Sequence, residues 1–74
     1  MPYIKVKAHP RDDKTKQKLA EAINEAVISI FGCQPKAVSI SIEDVEPSNW
    51  DEVRNNEIYP NKDKMLIVEG EKKY

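Results

Sequence analysis

The sequence predicts an α+β protein, a single domain over residues 1–74 built on one βαβ unit with parallel strands. Three observations carry this prediction. Apolar and polar residues alternate near the N-terminus and again in the middle of the chain, with the period of half-buried strands. A long segment between them repeats its apolar residues at helical spacing. Two parallel strands joined by one helix form a right-handed βαβ unit.

The first strand is predicted from Pro2 to Ala8. Ile4 and Val6 alternate with charged neighbours along this segment, as in a strand with one buried face. Pro2 suits the first position of a strand, where its missing N–H group costs no ladder hydrogen bond. Pro10 ends the strand because it cannot donate to the sheet.

A long amphipathic helix is predicted over residues 13 to 31. The residues on its apolar face recur at helical spacing: Leu19, Ile23, Ala26, Val27, Ile30 and Phe31. Asp12 or Asp13 is expected to cap its first turn with a carboxylate oxygen. Gly32 is expected to end the helix in the left-handed conformation, with Pro35 following shortly after.

A second strand is predicted from Ala37 to Asp44, again from strict alternation. After it, Pro47 opens a turn, and a short helix is expected from Trp50 to Ile58, ended by Pro60. The apolar run of residues 65–68 is compatible with a strand or with a docking turn, and its periodicity leaves both open. The prediction is thus a βαβ unit with a short C-terminal helix and strand.

The chain is too small to cover its own sheet. Its 74 residues bury only a modest core, and a two-stranded sheet leaves two edges open. Cys33 is the only cysteine, which excludes an internal disulfide, and with His9 alone it cannot form a structural zinc site. We therefore expect a homo-oligomer that completes the sheet. A dimer is favoured over a hexamer because the residues after Trp50 can cover a sheet edge.

The charge balance argues against several classes of partner. Twelve basic and 13 acidic residues give a net charge of -1, so no overall field attracts nucleic acid. The longest apolar stretch is far shorter than the roughly 20 residues that span a bilayer. The N-terminal residues alternate without the apolar segment of a signal peptide. We expect no nucleic-acid or membrane partner, and a cytoplasmic location.

Pro2 is the residue with unusual chemistry. Removal of Met1 would leave a secondary amine at the start of the chain, and an amine accepts a proton whereas an amide nitrogen does not. A terminal amine has a pKa of about 7.7 to 8.0, and burial or a nearby cation lowers this pKa towards the range where a general base works best. Pro2 is therefore a candidate catalytic base, although a proline that merely begins an edge strand is the alternative.

A set of features along nearly the whole chain resembles the 4-oxalocrotonate tautomerase family. These features are Pro2-Tyr3-Ile4, Pro10-Arg11-Asp12-Asp13, the helix ending at Gly32, the strand Val38-Ser39-Ile40-Ser41-Ile42, and Trp50. The chain is most similar to the longer, dimeric phenylpyruvate-enol tautomerase branch, in which a Pro-Arg turn and a Pro-x-x-Trp segment also occur. In this family the N-terminal proline shuttles the proton.

The resemblance implies roles for three further residues. Arg11 matches the arginine that contacts the substrate carboxylate, and Trp50 matches the aromatic residue that walls the pocket. Ser39 stands where the hexameric members carry a second arginine, which favours a substrate with one carboxylate. The implied activity is keto-enol tautomerisation of a small 2-hydroxydienoate or aryl enolpyruvate acid, with no cofactor and no metal.

Two alternatives stay open at this point. Relatives in the same superfamily hydrate or dehalogenate unsaturated acids with extra activating carboxylates, for which Glu43, Glu52 and Glu57 are candidates. A non-catalytic βαβ assembly module is the other alternative. His9 is interpreted as a partly exposed residue at the strand end, and Cys33 as a structural or incidental thiol.

Overall fold

The computed structural model describes all residues from Met1 to Tyr74, and it confirms the predicted βαβ unit. Strand β1 (Tyr3–Ala8) and strand β2 (Ser39–Asp44) pair in parallel, and helix α1 (Asp13–Phe31) connects them. The bounds of α1 are those expected from the sequence.

The β1–β2 ladder runs without a break from Tyr3 opposite Ser39 to Ala8 opposite Asp44. It extends past the start of β1, where the Ser39 amide donates to the Pro2 carbonyl at 3.1 Å. It also extends past the end, where the Val45 amide donates to the Ala8 carbonyl at 2.7 Å. Both ends of β1 are therefore held in place by backbone hydrogen bonds.

Strand β2 begins later than the alternation indicates. Pro35–Ala37 form a 3₁₀ turn, and the Val38 amide donates to the Pro35 carbonyl at 3.3 Å. Proline at the start of a helical turn has a compatible φ angle and no N–H group to satisfy. This turn competes with the strand pattern and delays pairing until Ser39.

The two ends of α1 behave differently from each other. Gly32 has a φ angle of 67° and its amide donates to the Ile28 carbonyl at 2.9 Å, which is the predicted left-handed cap. Asp12 occupies the N-cap position, but its carboxylate accepts a hydrogen bond from the Thr15 hydroxyl rather than the expected bond from a backbone amide. The bond from Thr15 lowers the pKa of Asp12 below its ordinary value.

The C-terminal third winds through three kinds of helical turn. They are α2 (Trp50–Val53), a π turn (Arg54–Ile58) and a 3₁₀ segment (Tyr59–Lys64). The predicted helix is present, but the expectation that Pro60 ends the helical conformation is wrong. Pro60 lies at the start of the 3₁₀ segment, where proline is compatible with a helical turn, and the segment continues to Lys64.

The apolar run after this segment forms a strand. Strand β3 (Ile67–Val68) pairs antiparallel with strand β4 (Glu71–Lys72). The tight connection has Glu69 at a φ angle of 47° and Gly70 at 84°. Arg54 links this hairpin to α2, because its guanidinium lies 3.3 Å from the Asp51 carboxylate and 3.6 Å from that of Glu69.

An ion pair ties the C-terminal segment to the sheet. The Lys7 ammonium on β1 binds the Glu57 carboxylate on the π turn, and the two side chains are 25% and 48% exposed. The hydrogen bond from Lys7 to Glu57 raises the pKa of Lys7 above 10.5. This contact positions the π turn over the sheet face opposite to α1.

The protomer leaves most of its apolar surface uncovered. Val53 is the only buried residue, whereas Phe31 and Leu66 are each 70% exposed. The accessible surface is 6022 Å², and a compact monomer of this mass exposes only about 4,700 Å². The shape is flat, with extents of 35 × 32 × 18 Å. The difference between the two surface areas is larger than the roughly 800 Å² that each partner buries in a standard protein–protein interface.

Replacing Gly32 with alanine is expected to destabilise the protein by about 1 kcal/mol, because an L side chain in the left-handed region costs about 1–2 kcal/mol and reduced freedom of the unfolded chain offsets part of it. No atom lies within 4 Å of the added Cβ, so the cost is in the backbone alone. Urea unfolding at fixed protein concentration measures it. Gly32→Asn serves as the control and should lose less, and equal losses for both variants would contradict this explanation.

Glu57→Gln should lower stability at neutral pH, because it removes the partner of Lys7. Since the pKa of Lys7 is raised in the folded state, the contribution of the pair is fully present below about pH 10.5 and is lost as the pH rises through the raised value. The difference in unfolding midpoint between wild type and variant should therefore shrink above pH 10. Glu52→Gln, which removes an exposed carboxylate without an ion-pair partner, is the matched control. A difference that stays constant to pH 12 would contradict the assignment.

Candidate active site

A large open cavity lies beside Pro2. Its volume is about 890 Å³, and it is lined by Met1, Pro2, Phe31, Cys33, Gln34, Lys36 and Ala37. These residues come from the start of β1, the end of α1 and the turn before β2. In a βαβ unit with parallel strands these three places lie at the same edge of the sheet, so the topology itself creates the cavity.

Pro2 is held at this edge by its backbone. It is half-buried, and its carbonyl accepts the hydrogen bond from Ser39. The ammonium group of Met1 donates to the Ala37 carbonyl at 2.9 Å and so continues the contact between the two strands. Met1 also lines the cavity. Its removal would free the Pro2 nitrogen and widen the cavity at the same point.

Ser39 is the one predicted substrate-binding residue that lies next to Pro2. It is exposed, pairs with Tyr3 across the ladder, and donates its amide to the Pro2 carbonyl. A hydroxyl at this position carries no charge. No arginine of the same protomer lines the cavity.

Arg11 lies beyond the other end of β1, in the turn that leads into α1. Its guanidinium donates to the Pro10 carbonyl at 2.9 Å and is exposed. It forms no ion pair with Asp12 or Asp13, since Asp12 accepts from Thr15 and the ion pair of Asp13 is with a lysine. Arg11 therefore keeps charged N–H donors available for an external carboxylate.

Trp50 also lies at the far end of β1. Its ring meets the His9 imidazole edge-on, with centroids 5.2 Å apart and an interplanar angle of 89°. Together with Lys7, Glu57 and other side chains it lines a smaller cavity of about 250 Å³ over the sheet. The prediction that His9 is a strand-end residue is consistent with this packing role.

The two groups of candidate residues are separated by the length of a strand. At about 3.3 Å per residue, the six residues of β1 place Pro2 and the Arg11 turn roughly 20 Å or more apart. One protomer therefore brings Pro2 together with Ser39, and His9 together with Trp50, but it does not bring Arg11 or Trp50 to Pro2.

Three residues of the Pro2 cavity are not evident from the sequence as contributors to the site. Phe31 is 70% exposed at the end of α1, Lys36 belongs to the 3₁₀ turn, and Cys33 is half-buried between them. Lys36 is the only charged side chain in the cavity lining. The predicted topology could have identified these residues, because the residues just before β2 must lie beside the start of β1 in a parallel pair.

The candidate activating carboxylates lie away from the Pro2 cavity of their own protomer. Glu57 binds Lys7, Glu43 is at the end of β2 opposite Lys7, and Glu52 is exposed on α2.

Elsewhere, the hydrogen bond to Glu69 raises the pKa of Tyr59. No three His, Cys, Asp or Glu side chains meet as a metal site would require, and none of the helices has the length and apolar character needed to cross a membrane.

Comparison with known proteins matches the same features. The family model described as tautomerase enzyme matches residues 2–59, which include β1, α1, β2 and Trp50. The chain is 34% identical to Tautomerase PptA of Klebsiella pneumoniae over 72 residues, covering 95% of this chain and 96% of that protein. It is 34% identical over 73 residues to Tautomerase PptA of Cronobacter sakazakii, with the same coverage of each chain. The chain belongs to the tautomerase family of isomerase enzymes.

Proposed function

We propose that the protein is a cytoplasmic keto-enol tautomerase that acts on a small 2-hydroxydienoate or aryl enolpyruvate acid, with the Pro2 amine as general base after removal of Met1. The observation that carries this proposal is that Pro2 lines a mostly apolar cavity of about 890 Å³. The cavity suits an apolar acid, and membership of the tautomerase family supplies the class of reaction.

In the proposed reaction one group moves the proton twice. The neutral Pro2 amine takes the proton from the enol hydroxyl, and the electron pair left on oxygen forms the carbonyl double bond. The displaced carbon-carbon π pair then takes the proton from the Pro2 ammonium, which returns the amine to its starting form. General acid-base catalysis of this kind contributes about 10²- to 10⁴-fold to the rate.

The proposal assigns Arg11 and Trp50 to the Pro2 cavity of a second copy. Both lie at the opposite end of β1, so antiparallel packing of two protomers would carry them to the partner's cavity. Arg11 would then bind the substrate carboxylate through two N–H groups and stabilise the enolate. Trp50 would exclude water and keep the amine neutral.

Assembly is also supported by the exposed apolar surface. The protomer exposes about 1,300 Å² more than a compact monomer of its size, and exposed Phe31, Tyr3 and Leu66 belong to that surface. We propose a homodimer, in which an isologous interface covers the same patch on both copies. The C-terminal segment already covers part of the second sheet face, which favours a dimer over a hexamer.

The hydratase or dehalogenase alternative requires a free carboxylate to activate water. Glu57, the candidate carboxylate in the cavity beside Trp50, is engaged by Lys7. Its charge is therefore compensated, which leaves Glu43 and Glu52 as the carboxylates without an ion pair for this alternative. Turnover of phenylenolpyruvate against a 3-haloacrylate separates the two reactions.

An N-terminal extension that leaves Pro2 in an amide bond should lower tautomerase activity by about 10²- to 10⁴-fold, because it removes the base. Pro2→Ala should lose less, since it retains a primary amine. Initial rates with phenylenolpyruvate measure both, and intact mass establishes the N-terminus of each sample. Unchanged circular dichroism and sedimentation serve as controls for folding. Full activity of the extended chain would sink the proposed mechanism.

Mixing two impaired variants should restore activity if the site forms between copies. When Pro2→Ala and Arg11→Ala chains are unfolded together and refolded in equal amounts, about a quarter of the sites combine a native Pro2 with a native Arg11. The mixture should therefore recover roughly a quarter of the wild-type rate. A mixture of Arg11→Ala with Trp50→Ala is the control, because both residues come from the same copy and no intact site forms. Absence of recovery in the first mixture would place the whole site in one protomer.

A further inference from the structure

Lys36 occupies a distinctive place beside Pro2. It is the middle residue of the Pro35–Ala37 turn, whose backbone is held by bonds from the Ala37 amide to the Gln34 carbonyl at 3.0 Å and from the Val38 amide to Pro35. The Ser39 amide, three residues after Lys36, donates to the Pro2 carbonyl at 3.1 Å. The segment that carries Lys36 therefore stays in contact with Pro2 when Met1 is removed.

The charge of Lys36 is not compensated within the protomer. None of the ion pairs of the chain involves it. The other side chains that line the cavity are neutral, with the Cys33 thiol the only other titratable one. Tyr3 follows Pro2 on β1, and its partner on β2 is Ser39, which has no ionisable side chain.

The end of α1 acts on the amine in the opposite sense. Phe31 is the last residue of this helix and lines the cavity, and the last turn contains no basic residue. The unpaired carbonyls at a helix C-terminus carry about half a negative charge, which favours a protonated amine nearby. A catalytic base must instead be neutral, and a positive charge close to Pro2 opposes the effect of the helix end.

We infer that Lys36 is a positioning residue for the proposed reaction, a cation that favours the uncharged form of the Pro2 amine. This inference rests on the proposed function of Pro2. Lys36 would supply a cation to the cavity of its own protomer, from a position other than that of Ser39. This cation would act on the catalytic base and would not bind the substrate.

Coulomb's law sets the size of the effect. At a separation on the order of 8 Å in a water-filled cavity, one unit charge shifts the pKa of the amine by roughly half a unit. Lys36→Met should therefore raise that pKa by about half a unit, and Lys36→Glu by about one unit. Lys36→Arg should leave it unchanged because the charge is kept.

The test measures the Pro2 nitrogen directly. In chains with Met1 removed, as shown by intact mass, the ¹⁵N chemical shift of labelled Pro2 is followed against pH at low salt. The same samples give the pH profile of kcat/KM with phenylenolpyruvate. For Lys36→Met we expect about a threefold loss below the wild-type pKa and no loss at alkaline pH, because the amine is neutral there in both proteins. Lys18→Met, on the exposed face of α1, is the control.

The outcomes separate the two proposals. A Pro2 titration that does not move in Lys36→Met or Lys36→Glu overturns the inference, and so does an equal loss of kcat/KM at every pH. The titration needs no activity, so it decides the role of Lys36 even if Pro2→Ala were fully active and the proposed function failed. A shift in Lys36→Met that is absent in Lys36→Arg and Lys18→Met supports the inference.

Discussion

The parallel pairing of β1 with β2 is the interaction on which the rest of this protomer depends. It brings the start of β1, the end of α1 and the turn before β2 to one edge of the sheet, and there it builds the cavity beside Pro2. The same pairing holds the Pro2 carbonyl through the Ser39 amide. Because a strand is extended, this arrangement also sends the Arg11 turn and Trp50 to the opposite edge.

The small size of the chain turns this separation into a reason for assembly. A two-stranded sheet with one long helix cannot bury its own apolar surface, and only Val53 is buried in the protomer. In the proposed homodimer, packing against a second copy would cover exposed side chains such as Phe31, and it would bring the two ends of β1 to one site. Under this proposal, the same interface would serve both stability and catalysis.

The ion pairs distinguish charged residues that hold the structure together from the two cations proposed to act at the site. Glu57 forms an ion pair with Lys7, and Arg54 forms ion pairs with two carboxylates. These pairs hold the C-terminal turns and hairpin in place. Arg11 and Lys36 have no ion-pair partner in the protomer and lie at opposite ends of the sheet. Charges without partners are the ones available to a substrate or to a neighbouring amine.

The sequence by itself determined the βαβ unit, the bounds of α1 and its cap at Gly32, because these depend on local periodicity and on one backbone conformation. It also identified the amine of Pro2 as the unusual chemical group. Only the tertiary structure decided that Pro35–Ala37 form a turn before β2, that the winding continues through Pro60, and that Lys36 shares a cavity with Pro2. Those features depend on which distant segments of the chain contact each other. Sequence periodicity reports only local structure, so it does not predict contacts between residues that are far apart in the chain.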